Sequence, residues 1–217
     1  MWCAVHGHSL PASLLTRMDS LGIKTYDFYL MTLSRAVKDL YSGKITEAAF
    51  VDKLSELIPQ QLRRAWNEGM KENGLDPQKD MTPEWEAAFQ DIAAKEFAYV
   101  DGFASDVAKA ATNETPIDGL LTRAESWANR YPDVADRAKI ITAPKDKLFM
   151  WRRGNTIDGC NTCVTLDGIV ATAADWRALQ DRGIYPKSAE LDCHGDHCDC
   201  GVYETDEPLT DGGIPKV

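Results

Sequence analysis

Residues 147–170 read Lys147-Leu148-Phe149-Met150-Trp151-Arg152-Arg153-Gly154-Asn155-Thr156-Ile157-Asp158-Gly159-Cys160-Asn161-Thr162-Cys163-Val164-Thr165-Leu166-Asp167-Gly168-Ile169-Val170. This stretch decides the fold, because the chain changes character here. Residues 147–153 read as a strand rich in large apolar side chains with a basic end, closed by Gly154. Cys160-x-x-Cys163 follows. Residues 164–170, with Asp167-Gly168 at the centre, read as a β-hairpin turn. Beyond it, Thr172 caps a short helix over 173–182 that Gly183 closes, and 201–204 is a candidate strand.

Upstream of Ala143-Pro144 the pattern is helical. Phe28, Tyr29, Leu33, Val37, Leu40 and Tyr41 recur at three- and four-residue steps, and Gly43 stops the run. A second helical stretch covers about 46–58. A third begins near Pro59, carries Leu62, Ala65, Trp66 and Met70 on one side, and ends at Asn73-Gly74. Thr82-Pro83-Glu84 is a cap, a first-turn proline and a first-turn acid. Trp85, Phe89, Ile92, Glu96, Tyr99, Phe103 and Val107 then predict one long amphipathic helix over about 82–112. Thr115-Pro116 repeats the start signal, with Leu120, Leu121, Ala124, Trp127, Ala128 and Tyr131 on the next apolar face. Pro132 opens a last segment to about 142.

The expected architecture is a mainly α helical body followed by a small α+β Cys-rich module with a β-hairpin. The divisions are an irregular lead-in at 1–24, a helical domain at 25–142, the module at 145–205 and an acidic flexible tail at 206–217. From Ala189 to Pro215 every charged residue is acidic, which reads as a solvated extension.

The 217 residues carry a net charge of −10, so general nucleic-acid binding is disfavoured. No apolar run approaches the ~20 residues of a membrane helix. The first residues lack the basic and apolar regions of a signal peptide. His6 and His8 read as solvated residues of a terminal segment. Trp151-Arg152-Arg153 reads as a strand with an exposed basic end rather than a stacking platform for nucleic acid.

Five of the six cysteines, Cys160, Cys163, Cys193, Cys198 and Cys200, lie within one 41-residue stretch; the sixth is Cys3. Two cysteine knuckles a few tens of residues apart suit a tetrahedral zinc site, because each short loop aims soft thiolates at one point. Metal binding would then supply folding free energy to a loop-rich segment. The expected ligands are four of these five, Cys160 and Cys163 with two of the others, and His194 or His197 as substitutes. Two disulfides, or reduced thiols, are the alternatives. Glu190, Asp192, Asp196 and Asp199 lie nearby, but no His-x-Glu or His-x-x-x-His accompanies them, so the site reads as structural and the protein as no enzyme.

The order of these residues resembles a known family. Trp151-Arg152-Arg153-Gly154-Asn155-Thr156 precedes Cys160-x-x-Cys163 and Leu166-Asp167-Gly168. Thr172-Ala173-x-x-Trp176, Pro186 and Leu191-x-Cys193-x-Gly195-x-x-Cys198-x-Cys200 follow. This is similar to the tailed-phage minor head, or head morphogenesis, proteins related to the phage Mu minor head protein. Arg123 to Tyr131 also looks like the helix that precedes the module there. The likeness covers roughly 120–205. Many members have a His-Pro before the last Cys-x-Cys, where this chain has Cys193 and His197.

The resemblance implies a non-enzymatic minor capsid protein of a phage or prophage. It would be made in the bacterial host cytoplasm and carried in the virion head, multimeric within the particle. It would act in procapsid assembly and DNA packaging or delivery near the portal. Its partners would be the portal and other phage head proteins, with at most indirect DNA contact and no membrane. A zinc-stabilised protein-interaction module without a link to capsids is the alternative. A metal-dependent hydrolase or toxin is a third reading.

Overall fold

A computed structural model describes residues 25–154, 159–188, 190–193 and 199–217. The lead-in at 1–24, with Cys3, His6 and His8, lies outside the described residues. So do Cys198, His194 and His197. The fold is mainly helical, with a small antiparallel sheet near the C-terminus and the cysteines around it. The chain divides into two compact units, 1–65 with 86–132 and 66–85 with 133–217. No helix among the described residues is long and apolar enough to cross a membrane.

The first unit is built by apolar helix faces. Helix α1 (Thr25–Tyr41) buries Tyr29, Leu33, Ala36, Val37 and Leu40. Gly43, at φ 72°, turns the chain out of it and donates its amide to the Leu40 carbonyl. Helix α2 (Glu47–Glu72) is one element where the sequence reads two, because Pro59 lies inside it. An interior proline costs ~3 kcal/mol. Leu54, Leu57, Ile58 and Leu62 are buried on both sides of it, and each contributes roughly 1.5–3 kcal/mol. Packing therefore outweighs the lost hydrogen bond.

The long helix expected over 82–112 is two. Helix α3 (Pro83–Phe97) begins as read, with the Trp85 amide donating to Thr82 Oγ1 at 3.2 Å. It ends before Tyr99, and α4 (Val100–Thr112) follows. The expected seam runs through Tyr99, but Tyr99 is 61% exposed and Val100 is buried. The apolar stripe slips by one residue there, and the helix breaks where the slip occurs. Helix α5 (Asp118–Ala128) starts after the Thr115-Pro116 signal, with Ile117 at its cap position. Helix α6 (Arg130–Thr142) completes the series. In the first unit α1 packs on α4 and α5. Phe103 is central: its ring lies 5.9 Å from that of Phe50 and 5.0 Å, edge-on, from that of Trp127.

The second unit holds the sheet. Strand β1 (Leu148–Arg152) lies between β2 (Val170–Thr172) and β3 (Gly201–Glu204), antiparallel to both. Phe149 pairs with Ala171 on one side and Glu204 on the other. The helix α7 (Asn161–Leu166) and a turn connect β1 to β2. The hairpin read over 164–170 is thus corrected. Residues 161–166 are helical, and only Asp167-Gly168 turns, Gly168 at φ 78° and donating to the Trp151 carbonyl. Helix α8 (Ala173–Asp181) carries the expected cap, a reciprocal Thr172–Asp175 box. Phe149, Trp151, Leu166, Trp176, Leu179 and Val202 form the core of this unit with Cys163 and Cys200.

Residues 66–72 of α2 approach α6 at backbone contact. A Cβ on Gly69 would overlap the Ala135 carbonyl oxygen and come within 2.8 Å of the Lys139 amide. Residues 206–217 are tied to the β2 edge: Thr210 donates its amide to the Val170 carbonyl (3.0 Å), and its Oγ1 accepts from the Val170 amide (2.8 Å).

Candidate functional site

The site forms where β1 ends and α7 begins. Cys160 has extended backbone (φ −64°, ψ 156°) and caps α7, its Sγ accepting the Cys163 amide at 3.4 Å. A thiol in this position takes the place of the usual Ser or Asp oxygen. The x-x spacing puts Cys163 on the first turn, with its side chain in the core beside Leu166.

Asp192 brings the second cysteine segment to the first. Its Oδ2 accepts from both the amide and the hydroxyl of Thr162, each at 3.2 Å. Cys193 follows it in the chain and lies close enough to Cys160 to help hold that thiol's pKa down. Partial burial pushes the Cys160 thiol up. The amide bond from Cys163 and the nearby Cys193 outweigh that, and it lies below the ordinary thiol value.

Cys160 and Cys193 therefore sit half-buried at the rim of the core, while Cys163 and Cys200 are buried within it. No disulfide joins Cys160, Cys163, Cys193 or Cys200. Among the described residues, no group of three or more His, Cys, Asp or Glu stands in metal-ligating geometry. Any further donors from 194–198 fall outside the described residues.

Gly154 closes the other side of the site. A Cβ there would overlap Asp199, so a glycine is required where the segment before Cys200 crosses the end of β1. The Arg153 amide donates to Asp167 Oδ1 at 2.9 Å, and its side chain lies over Gly159. Arg152 and Arg153 are exposed, whereas Trp151 is fully buried with its ring 5.9 Å from that of Trp176. The basic end is on the surface as read, and the tryptophan offers no platform to a ligand from solvent.

Sequence reasoning noted Asp192 only as a nearby carboxylate and passed over Thr162. The available signal was an acid immediately before Cys193 and a hydroxyl residue between the cysteines of the first pair. Of the other carboxylates, Glu190 packs against Gly183 and Asp199 is exposed; Asp196 lies outside the described residues. No protein-family model, curated protein or solved structure matches the chain.

Proposed function

We propose that the protein is a minor head protein of a tailed phage or prophage, acting non-enzymatically in procapsid assembly and DNA packaging or delivery near the portal. The observation that carries this reading is the order of features on one small core. A buried aromatic strand leads to a cysteine-capped turn of helix, an Asp-Gly turn and a Thr-capped helix, and Cys200 leads into the last strand. That order is the one for which the sequence resembles the head morphogenesis proteins.

The donor chemistry suits zinc. Cys160 is a sulfur already receiving an amide hydrogen bond from Cys163, which stabilises a thiolate, and Cys193 lies beside it. Four of Cys160, Cys163, Cys193, Cys198 and Cys200 would hold the metal, with His194 or His197 as substitutes. Bound zinc would fix two loops on a core of modest size.

The test is mass spectrometry of procapsids and particles purified from a host that carries the gene. Peptides of this chain should co-sediment with the portal protein in both. Their absence from procapsid and particle alike would overturn the proposal and favour an interaction module unconnected with capsids.

A further inference from the structure

The two cysteines on the turn that opens α7 differ in access. Cys160 stands half-buried at the rim, while Cys163 is 1% exposed and belongs to the core of the second unit. One turn of backbone holds them together. Cys160 Sγ accepts the Cys163 amide at 3.4 Å, and the Cys160 carbonyl accepts the Val164 amide at 2.9 Å. Residues three apart on a helical turn have Cα atoms about 5 Å from each other. That falls inside the roughly 4.4–6.8 Å that a disulfide spans. The two thiols are not joined by one.

Thiol–disulfide exchange uses this asymmetry. A thiolate attacks a disulfide sulfur and forms a mixed disulfide, which a second thiol within reach resolves. Cys160 is the sulfur that an oxidant from solvent meets, and burial closes Cys163 to it. Cys193 is also half-buried at this rim. It belongs, however, to a segment that the Asp192–Thr162 contact brings in from thirty residues away. Cys163 shares the turn with Cys160, so no long loop has to close for the two to meet. A metal would occupy the same sulfurs, so exchange belongs to the metal-free chain.

We propose that Cys160 and Cys163 form a thiol–disulfide exchange pair, Cys160 attacking and Cys163 resolving, with a low-molecular-weight disulfide as co-reactant. Cys160, as the thiolate, bonds to one sulfur of that disulfide and breaks its S–S bond, releasing one small thiolate. Cys163 then gives up its proton and bonds to the Cys160 sulfur, breaking the mixed disulfide and releasing the second. The protons of the two protein thiols end on the two released thiols. The protein pair is oxidised by two electrons, and the small disulfide is reduced by the same two. Excess small thiol runs the steps in reverse. This activity stands apart from the head-protein reading and needs no metal.

The test treats the full reduced chain with a chelator, exposes it to oxidised glutathione and maps the thiols by mass spectrometry after trypsin. Cleavage after Arg153 and Arg177 leaves Cys160 and Cys163 on one peptide, and cleavage after Lys187 and Lys216 leaves Cys193, Cys198 and Cys200 on another. The expected product is a disulfide within the first peptide, formed through a transient glutathione adduct on Cys160 and reopened by reduced glutathione. Cys163→Ser should stop at that adduct. Cys160→Ser should slow modification of the peptide at least about tenfold, since the buried thiol is shielded. Cys193→Ser should still close the disulfide. No modification of the first peptide, an adduct on Cys160 that persists in the parent, or a cross-link between the two peptides would each overturn the pair. Cys193→Ser, at the rim, and the parent chain decide the matter if Cys163→Ser does not fold.

Discussion

In the helical unit, Tyr29, Leu33, Val37 and Leu40 fall at helical steps and all are buried, as are Phe50, Leu54, Leu57 and Ile58 one helix later. In the cysteine-bearing unit, side chains also reach across to backbone around its apolar core. Arg177 donates to the Ile140 carbonyl (3.0 Å) and to the Ala143 carbonyl, satisfying the end of α6. Asn73 Nδ2 donates to the Lys139 carbonyl (2.7 Å) and to Thr142 Oγ1 (2.9 Å). Asp192 holds the turn at Thr162, and Thr210 covers the β2 edge. One unit is held mainly by repeating apolar area, which tolerates exchange among residues of like size. The other adds to its apolar core single polar contacts that no neighbour can replace.

The largest expected effect breaks that contrast where α2 meets α6 at backbone contact. Gly69→Ala would gain ~1 kcal/mol of helix propensity. Its Cβ would overlap the Ala135 carbonyl, and overpacking against rigid backbone costs roughly 1–3 kcal/mol or more. The net expectation is a loss of about 2 kcal/mol at 25 °C in denaturant titration. Amide exchange should rise at Ala138 and Ile140 more than at Leu33 and Val37. A gain in stability would mean that α6 yields, and that this unit is as plastic as the helical one.

Arg177→Met comes next. It keeps the apolar stem and removes the charged donors from two carbonyls, for an expected cost of about 2 kcal/mol. A swap such as Leu57→Met in the helical unit should cost under about 1.5 kcal/mol in the same titration. Equal costs would remove the distinction between the units.

What the sequence made legible follows the same line. Helix α1, the Thr82 cap, the Thr172 cap and strand β3 all follow from local periodicity or a local cap, and each is found where it is read. The failures have physical causes. Pro59 reads as a boundary because local propensity does not weigh the burial on either side of it. Tyr99 reads as core because its spacing fits, although the stripe passes to Val100. Residues 164–170 read as a hairpin because Val164, Thr165 and Asp167-Gly168 have strand and turn character, while Cys160 as a sulfur cap starts a helix over Asn161–Leu166 instead. In the candidate site, the x-x spacing shows that Cys160 and Cys163 are neighbours, not that the first caps the helix carrying the second. The Asp192–Thr162 bridge joins residues thirty apart in sequence, and no local pattern announces it.

A smaller effect comes from the ion pairs. Lys147 Nζ, 2.8 Å from Glu204, holds that carboxyl below its usual range, with Lys139 assisting. A depressed carboxyl contributes stability above its unfolded value of about 4.3 and loses it as pH falls through the lower folded value. Glu204 is exposed, so Glu204→Gln should cost under about 1 kcal/mol at pH 7. The difference from the parent should shrink in high salt, and should shrink as pH falls below about 4.3 and vanish once it passes below the lowered folded value. A difference that persisted in acid would assign the effect to packing rather than charge.

The most direct test of the central claim, that the cysteines of the second unit act together on a metal, is the zinc content of the full chain purified under reducing conditions. The predicted result is about one zinc per chain, lost in Cys160→Ser together with amide protection around α7. Metal-free protein with the same protection, or with these cysteines mapped as disulfides, would contradict it.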